Sequence, residues 1–221
     1  MLESNKQEHV SGREETAQRL LAAAERVFAA KGFEVASVRD ITSAAGCNLA
    51  AVNYHFGGKE NLYREVFRVR MRQMRDCRVA AIEGALSAPG ATLEELLRAY
   101  AKAFLSPLLD RNDSRVLVAL FSREMNDRCL PREMLVEEMI QPVQDVLVAA
   151  ITRLCPNVEP SCVIPSIHSI VAQLLHLVRI RETFDEPNDL QMPIAQFDDL
   201  IEHIVRFSAA GIRAFAKEQG R

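Results

Sequence analysis

Apolar positions recur at helical spacing in almost every periodic segment of the chain, and there is no internal repeat or low-complexity tract. The first helix is predicted at about residues 13–31, after a flexible N-terminal arm of residues 1–12. Ser11 and Glu14 have the spacing of a capping box at its start, and Gly32 follows its end. The pattern therefore predicts an all-α fold.

Two short helices are predicted next. The first begins after Ser37, which has capping-box spacing with the aspartate three residues later, and it ends at Gly46. The second covers residues 49–56, with Asn48 as its N-cap. Two short helices joined through a glycine turn form the arrangement that places one helix in the major groove of DNA. A helix-turn-helix domain is therefore expected over residues 13–58.

The rest of the chain is predicted to form a connecting helix and a larger helical domain. The connecting helix is expected over residues 59–84, and the small residues and proline of segment 87–90 mark a domain boundary. Pro142 interrupts the apolar pattern of the second domain, residues 91–221, and should kink or divide a helix there. Other helices of this domain are expected at about residues 92–109, 114–127, 161–183 and 195–217, and Thr92 and Glu95 have capping-box spacing at the start of the first of them.

Composition fits a cytosolic protein with a hydrophobic core. The chain has 221 residues, 48% of them hydrophobic, and its N-terminal segment lacks a secretory hydrophobic region. The net charge of -3 hides an uneven distribution, because residues 1–80 carry a net charge of +3 and residues 81–221 one of -6. Within the basic part, residues 59–78 are rich in arginine, and the later arginines of this run are interpreted as a solvated helix face in preference to a DNA contact.

The sequence lacks the patterns of catalytic or metal chemistry. The five cysteines are scattered and the five histidines show no i, i+4 pair, so neither a disulfide framework nor a metal site is expected. No nucleophile, phosphate-binding or dinucleotide-binding motif is present, and no cofactor is expected. A helical adaptor that binds a protein partner and, as the weaker alternative, a small-molecule enzyme stay open as rival classes.

Five short motifs in the first third of the chain point to one family. They are Phe28-x3-Gly32-Phe33, Ser37-Val38-Arg39-Asp40-Ile41, Ala45-Gly46, Asn53-Tyr54-His55-Phe56 and Gly58-Lys59-Glu60-x-Leu62. Over residues 13–67 the chain closely resembles the N-terminal domain of TetR-family transcription regulators, and residues 48–60 are most similar to the CecR-type and fatty-acid-sensing branches. The resemblance implies a homodimeric repressor that binds palindromic operator DNA and is released by a small-molecule effector.

The resemblance also implies which residues contact DNA. An asparagine can hydrogen-bond an adenine edge, and small or apolar residues can meet thymine methyl groups. Phosphate contacts are implied at the end of the third helix and at the start of the fourth, whose N-terminal dipole favours an anion. The implied base-contact residues are Leu49, Ala50, Ala51 and Asn53, the phosphate-contact residues are Tyr54, His55 and Lys59, and Ser37 and Asn48 are further candidates at the helix starts.

A cavity in the second domain is where a regulator of this family is expected to bind its effector. The candidate lining residues are Tyr100, Phe104, Phe121, Arg123, Met125, Met139, Gln173 and His176. Ordinary core packing is the alternative for the aromatic and methionine positions. Arg123 follows the wholly apolar segment 116–121 and needs a partner, which could be Glu124, another acidic side chain or a ligand carboxylate; an internal ion pair is favoured slightly.

The last two predicted helices have broader apolar faces than a small domain needs. The resemblance implies that they pair with their copies in a second chain as a four-helix bundle around a twofold axis. The expected interface residues are Ile167, Ile170, Leu174, Ile201, Ile204, Val205, Ser208 and Ile212. Intrachain core is the alternative for about half of the apolar positions on these helices.

Overall fold

All regular structure in the described residues is helical, which confirms the predicted fold class. A computed structural model describes residues 2–109, 114–184 and 197–218, with side chains described within 12–108, 114–180 and 198–215. The helices are α1 (Leu2–Lys31), α2 (Val38–Ala45), α3 (Ala50–Phe56), α4 (Lys59–Ser87), α5 (Leu93–Leu109), α6 (Ser114–Asp127), α7 (Arg132–Leu135), α8 (Gln141–Leu154), α9 (Pro160–Phe184) and α10 (Phe197–Glu218).

Two of the predicted helix starts are wrong. Helix α1 already begins at Leu2, so residues 2–12 extend the helix where a flexible arm was expected, and Ser11 lies in the helix interior. Extending an existing helix adds one hydrogen bond per residue fixed, whereas starting a helix is costly. Helix α3 begins at Ala50 after Leu49, which makes no side-chain cap, so Asn48 is not the predicted N-cap.

The interruption predicted at Pro142 is present as a π-helical turn, Val136–Ile140, between α7 and α8. Proline has no N–H to donate and its ring crowds the carbonyl four residues earlier, here that of Glu138. A π turn carries one extra residue per turn and so accommodates this lost hydrogen bond within a continuous helical path. Pro142 itself is the second residue of α8 and follows directly after the π turn.

The chain forms two compact units, and the boundary differs from the one expected from sequence. Unit 1 contains Met1–Met71 and Arg111–Met134, and unit 2 contains Arg72–Asp110 and Leu135–Arg221. Helix α6 was expected in the second domain, but it belongs to unit 1, where it packs against α1. An amphipathic pattern shows that a helix has a buried face but does not show which helix covers that face.

An aromatic cluster forms the centre of unit 1. The ring of Phe28 meets that of Tyr63 edge-on at 4.8 Å between centroids, and Phe67 packs against Phe121 of α6 at 5.1 Å. The hydroxyl of Tyr63 donates to the carboxylate of Glu124 at 2.8 Å. Burial, and then the hydrogen bond to Glu124, raise the pKa of the Tyr63 hydroxyl, so this group stays a neutral donor. The cluster therefore fixes α6 to α1 and α4 within unit 1.

Helices α5, α8, α9 and α10 form the core of unit 2. The predicted capping box of α5 is confirmed, because the N–H of Glu95 donates to the Thr92 hydroxyl and the N–H of Thr92 donates to the Glu95 carboxylate. Two N–H groups of Arg98 donate to Glu202 of α10 at 2.8 and 2.9 Å. This arginine, and then Arg206, lower the pKa of Glu202 to about 2. The ion pair therefore stays charged at neutral pH and joins α5 to α10.

Candidate functional site

A compact hydrogen-bond network shapes the start of α2. The hydroxyl of Ser37 donates to the Asp40 carboxylate at 2.8 Å and accepts the Asp40 N–H at 3.1 Å. The Ser37 N–H also donates to that carboxylate, which confirms the capping box. Lys31 forms an ion pair with Asp40 at 2.9 Å, and the hydrogen bonds from Lys31 and then Ser37 lower the pKa of Asp40 to about 2. Both donors of Ser37 are thus used within the cap, which argues against its predicted phosphate contact.

Helix α3 exposes one face and buries the other. Gly46, with φ of 63°, ends α2 in a left-handed turn that only glycine adopts without steric cost, and α3 follows after Cys47, Asn48 and Leu49. Leu49 is 59% exposed, and Ala50 and Asn53 are exposed as well. Ala51 and Val52 are buried in unit 1. The burial of Ala51 argues against its predicted base contact, whereas the other three predicted base-contact residues share an exposed face.

Tyr54 stands at the exposed end of α3 beside the side chains of Arg13 and His55. Its side chain is 66% exposed, and the guanidinium carbon of Arg13 lies 4.9 Å from the ring centroid. The ring of the half-buried His55 approaches that of Tyr54 edge-on at 5.0 Å. Arg13 was not among the predicted site residues, because no local pattern connects it with a residue so far along the chain.

Lys59 is engaged inside unit 1. Its ammonium donates to the carbonyl oxygens of Phe33 at 2.8 Å and of Ala36 at 3.0 Å, and it lies 4.4 Å from the centroid of the Phe33 ring. An ammonium has three donors, so the loop between α1 and α2 occupies two of them. These bonds give Lys59 a positioning role for that loop and argue against its predicted phosphate contact.

Most arginines of α4 are paired with carboxylates, as expected for a solvated face. The pairs within unit 1 are Arg64 with Glu60, Arg68 with Glu65, and Arg70 with Glu25, and those within unit 2 are Arg72 with Glu138 and Arg75 with Asp76.

Arg39 differs from these paired arginines. It is exposed on α2, and its guanidinium makes no hydrogen bond or ion pair within the described part of the chain.

Two family models match the chain. Residues 20–66 match the model described as bacterial regulatory proteins of the tetR family. Residues 93–212, more than half of the chain, match the C-terminal domain of the HTH-type transcriptional dual regulator CecR. The chain belongs to the TetR family. Members of this family are DNA-binding transcription regulators and not enzymes.

Individual TetR-family proteins match the chain over different lengths. The HTH-type transcriptional repressor AcnR of Corynebacterium glutamicum is 43% identical over 51 residues, which are 23% of this chain and 27% of AcnR. The chain thus matches only about a quarter of the length of this curated relative.

Solved structures of TetR-family regulators share the fold over nearly the whole chain. A regulator from Marinobacter aquaeolei VT8 is 18% identical with a TM-score of 0.68, covering 90% of this chain and 96% of the other. The regulator FadR from Bacillus subtilis, in complex with stearoyl-CoA, is 18% identical with a TM-score of 0.65, covering 88% of this chain and 98% of FadR.

The predicted effector residues of this TetR-family chain lie in both units. Phe121, Arg123 and Met125 belong to unit 1, where Met125 is 72% exposed and Phe121 packs in the aromatic cluster. The other five belong to unit 2. Tyr100 and Phe104 are buried and Met139 is half-buried, whereas Gln173 and His176 line an open groove of about 510 Å³ between α9 and α10. The structure therefore does not gather the eight residues into one site in unit 2.

Arg123 has a backbone partner in place of the predicted carboxylate. Its guanidinium donates to the carbonyl oxygens of Ala29 at 2.7 Å and of Ala30 at 2.8 Å, in the last turn of α1. Carbonyls in the last turn of a helix lack intrahelical partners and carry the negative end of the helix dipole, so a cation is stabilised there. Glu124 accepts hydrogen bonds from Tyr63 and from the N–H of Leu130. No carboxylate within the described residues forms an ion pair with Arg123, so the internal pair that the sequence favoured slightly is not found among them.

A buried arginine of unit 2 was missed by the sequence analysis. Arg78 is only 4% exposed, and its guanidinium carbon lies 4.1 Å above the centroid of the Phe104 ring. Its Nε atom has no hydrogen-bond partner, and burial lowers the pKa of its guanidinium. Burying an ion costs several kcal/mol, of which a cation–π contact offsets about 2 kcal/mol. In the sequence this residue is one of a run of similar arginines, so no signal distinguishes it.

The eight predicted dimer-interface residues are all buried within the single chain. Ile167, Ile170, Leu174, Ile201, Ile204, Val205, Ser208 and Ile212 form part of the core of unit 2. Their burial within the subunit argues against the prediction that they form the dimer contact. The same two helices expose four large apolar residues elsewhere on their surface, namely Ile164, Leu175, Phe207 and Phe215. Helical spacing identified the apolar helices correctly, but it could not distinguish their inner from their outer apolar positions.

Replacing Arg123 by Met tests its role at the end of α1. We expect Arg123→Met to lower the free energy of unfolding of unit 1 by about 1 kcal/mol, because it removes two charge-assisted hydrogen bonds at a partly exposed site. Amide hydrogen exchange should accelerate in the last turn of α1. Arg115→Met, which changes an exposed arginine of the same helix, serves as the control. Equal exchange in both variants would contradict the role.

Proposed function

We propose that the chain is a homodimeric repressor that binds an inverted-repeat operator through α3 and leaves it when a small molecule binds to unit 2. The observation that carries the DNA-binding part is the exposed face of α3, where Leu49, Ala50 and Asn53 are held by a buried opposite face. Side chains presented on one side of a short helix after a glycine turn suit entry into a major groove. A cytoplasmic location follows from this role.

The groups around α3 divide by chemistry into base contacts and phosphate contacts. Asn53 can bond an adenine edge, while Leu49 and Ala50 can meet thymine methyl groups, which favours an A/T-containing half-site. Tyr54 and Arg13 offer a hydroxyl and a cation at the exposed end of α3, and Arg39 offers a second cation on α2. His55 and Asn48 are further contacts in this proposal.

The apolar outer surface of α9 and α10 supports pairing with a second copy of this chain. Phe207 is 64% exposed, and Leu175 is almost half-exposed on the neighbouring helix. Residues 160–180 of α9 are apolar enough, by length and composition, to cross a membrane, although only a third of them are buried within the subunit. A second copy would cover this surface by twofold symmetry, as a four-helix bundle.

Repression and release by a small molecule are proposed from the similarity to AcnR and FadR and from the contact between α6 and α1. AcnR is named a transcriptional repressor, and FadR shares this fold while holding stearoyl-CoA. An effector that binds one conformation of unit 2 more tightly weakens DNA binding by its differential affinity. Within unit 1, α6 holds the last turn of α1 through Arg123, so a displacement of α6 would disturb the unit that carries α3.

Asn53→Ala tests base recognition. We expect the preference at one base pair of each half-site to relax, at a cost of about 1 to 3 kcal/mol, because the amide can no longer bond a base edge. Selection of bound sites from random DNA, followed by affinity measurement on single-base variants, gives the result. Asn126→Ala, an exposed asparagine on α6, is the control. Equal losses on all DNA sequences would show that Asn53 reads no base.

Arg39→Met and Lys59→Met should separate phosphate contact from loop positioning. The slope of log K against log salt concentration should fall by about one unit in Arg39→Met, since one phosphate contact is lost. Lys59→Met should leave the slope unchanged but destabilise unit 1 by about 1 to 2 kcal/mol. Lys102→Met, an exposed position on α5, should change neither quantity. A reduced slope in Lys59→Met would restore its phosphate contact.

Phe207→Glu tests the proposed dimer surface. The variant should be a folded monomer by light scattering. It should bind the full operator about 100-fold more weakly, because unit 1 of a second subunit is no longer linked to the first when it binds the other half-site. Arg153→Glu on the exposed side of α8 should remain a dimer. Ile204→Asp should instead lower the thermal unfolding midpoint, because Ile204 is buried within the subunit. A dimeric Phe207→Glu variant would exclude this surface.

A further inference from the structure

Arg78 is a buried cation that DNA binding and pairing of two subunits leave unused. It extends from α4 to the aromatic pair Tyr100 and Phe104 on α5, whose ring centroids are 6.0 Å apart. Tyr100 is close enough to affect the pKa of the guanidinium, and both aromatic residues are buried. Three different chemical groups, a cation, a hydroxyl and an aromatic ring, therefore converge in the interior of unit 2.

Arginines that pair with a carboxylate through two N–H groups show how unusual Arg78 is. Arg70 pairs with Glu25, Arg98 with Glu202, and Arg213 with Glu94, in each case through two N–H groups. Arg78 is more buried than any of these arginines, and yet no carboxylate of the described residues forms an ion pair with it or raises its pKa. A buried guanidinium without an internal counter-ion indicates that an external anion supplies the counter-charge.

The surroundings of Arg78 favour one class of anion. A guanidinium presents its N–H donors in a planar fork that matches the two oxygens of a carboxylate. Burial raises the pKa of the Tyr100 hydroxyl, so it remains protonated and can donate a third hydrogen bond to the same anion. The buried ring of Phe104 is apolar, which suits a hydrocarbon body next to the acid group.

We propose that Arg78, Tyr100 and Phe104 recognise the carboxylate of an apolar organic acid, and that this acid is the effector of the regulator. The effector part rests on the proposed function, whereas the binding site stands on the contacts of Arg78 alone. The site is distinct from the groove lined by Gln173 and His176 on α9, which belongs to the surface assigned to the second copy.

Matched acid and amide probes test the site on the full-length dimer. Decanoate with decanamide and phenylacetate with phenylacetamide keep the apolar body and remove only the charge. Calorimetric titration at constant pH and ionic strength should show at least one acid bound about tenfold more tightly than its amide. Equal affinity within both pairs, or no binding of either acid at millimolar concentration, would overturn the proposal.

Three variants link that preference to Arg78. Arg78→Met should abolish the preference for the acid, and Arg78→Lys should retain part of it, because an ammonium keeps the charge but loses the planar fork. Arg153→Met, an exposed arginine in the same unit, should bind like the wild type. An Arg78→Met variant that still prefers the acid would overturn the assignment.

The stability of the ligand-free variant supplies a measurement that does not depend on the choice of probe. Removing a buried charge without a counter-ion should leave the unfolding midpoint of Arg78→Met equal to that of the wild type or a few degrees higher. A clearly lower midpoint would reveal an internal counter-ion and overturn the proposal.

Operator binding separates this proposal from the proposed function. Arg78→Met should bind operator DNA like the wild type, and the acid should release only the wild type. Acid binding at Arg78 in a protein that selects no DNA motif would overturn the proposed function but leave the anion site standing. Operator binding that the bound acid does not weaken would overturn the effector role of the acid.

Discussion

The end of α1 is the constraint on which unit 1 depends. The last turn of a helix leaves carbonyl oxygens without intrahelical partners, and in unit 1 side chains from α4 and α6 bond the carbonyls at and after this turn. Arg123 from α6 takes the carbonyls of Ala29 and Ala30, and Lys59 from α4 takes two carbonyls of the loop that follows. Lys31 then links the helix end to the cap of α2. Three cations that could have been assigned to solvent or DNA therefore hold the end of α1, the loop after it and the start of α2 together.

The distribution of positive charge follows from this arrangement. Because five arginines of α4 are paired with carboxylates, the proposed cationic phosphate contacts rest on Arg13 and Arg39, which are exposed among the described residues. A small number of phosphate contacts limits nonspecific affinity. In the proposed complex, specificity would then depend on base contacts from α3 and on the linked binding of two DNA-binding units, and the apolar outer surface of α9 and α10 would hold the two subunits together.

Unit 2 contains both arginines that are paired with carboxylates and one buried arginine, Arg78, that is not. Its ion pairs Arg98 with Glu202 and Arg213 with Glu94 are complete within the chain and join α5 to α10. Arg78 lies on an aromatic ring without such a partner in the described residues. Ion pairs formed within the chain stabilise a fixed core. A buried cation without a counter-ion gains its favourable electrostatic interaction only when an anionic ligand binds.

The sequence by itself determined the helical class, the capping boxes at Ser37 and Thr92, the interruption at Pro142 and the family, because these depend on local spacing and on short motifs. Tertiary structure decided the partners of long side chains and the direction of apolar faces. A sequence shows that Arg123 needs a partner but not that two backbone carbonyls supply it, and it shows that α9 and α10 are apolar but not which positions a neighbouring helix covers. Both outcomes depend on contacts between residues far apart in the chain, which local periodicity does not encode.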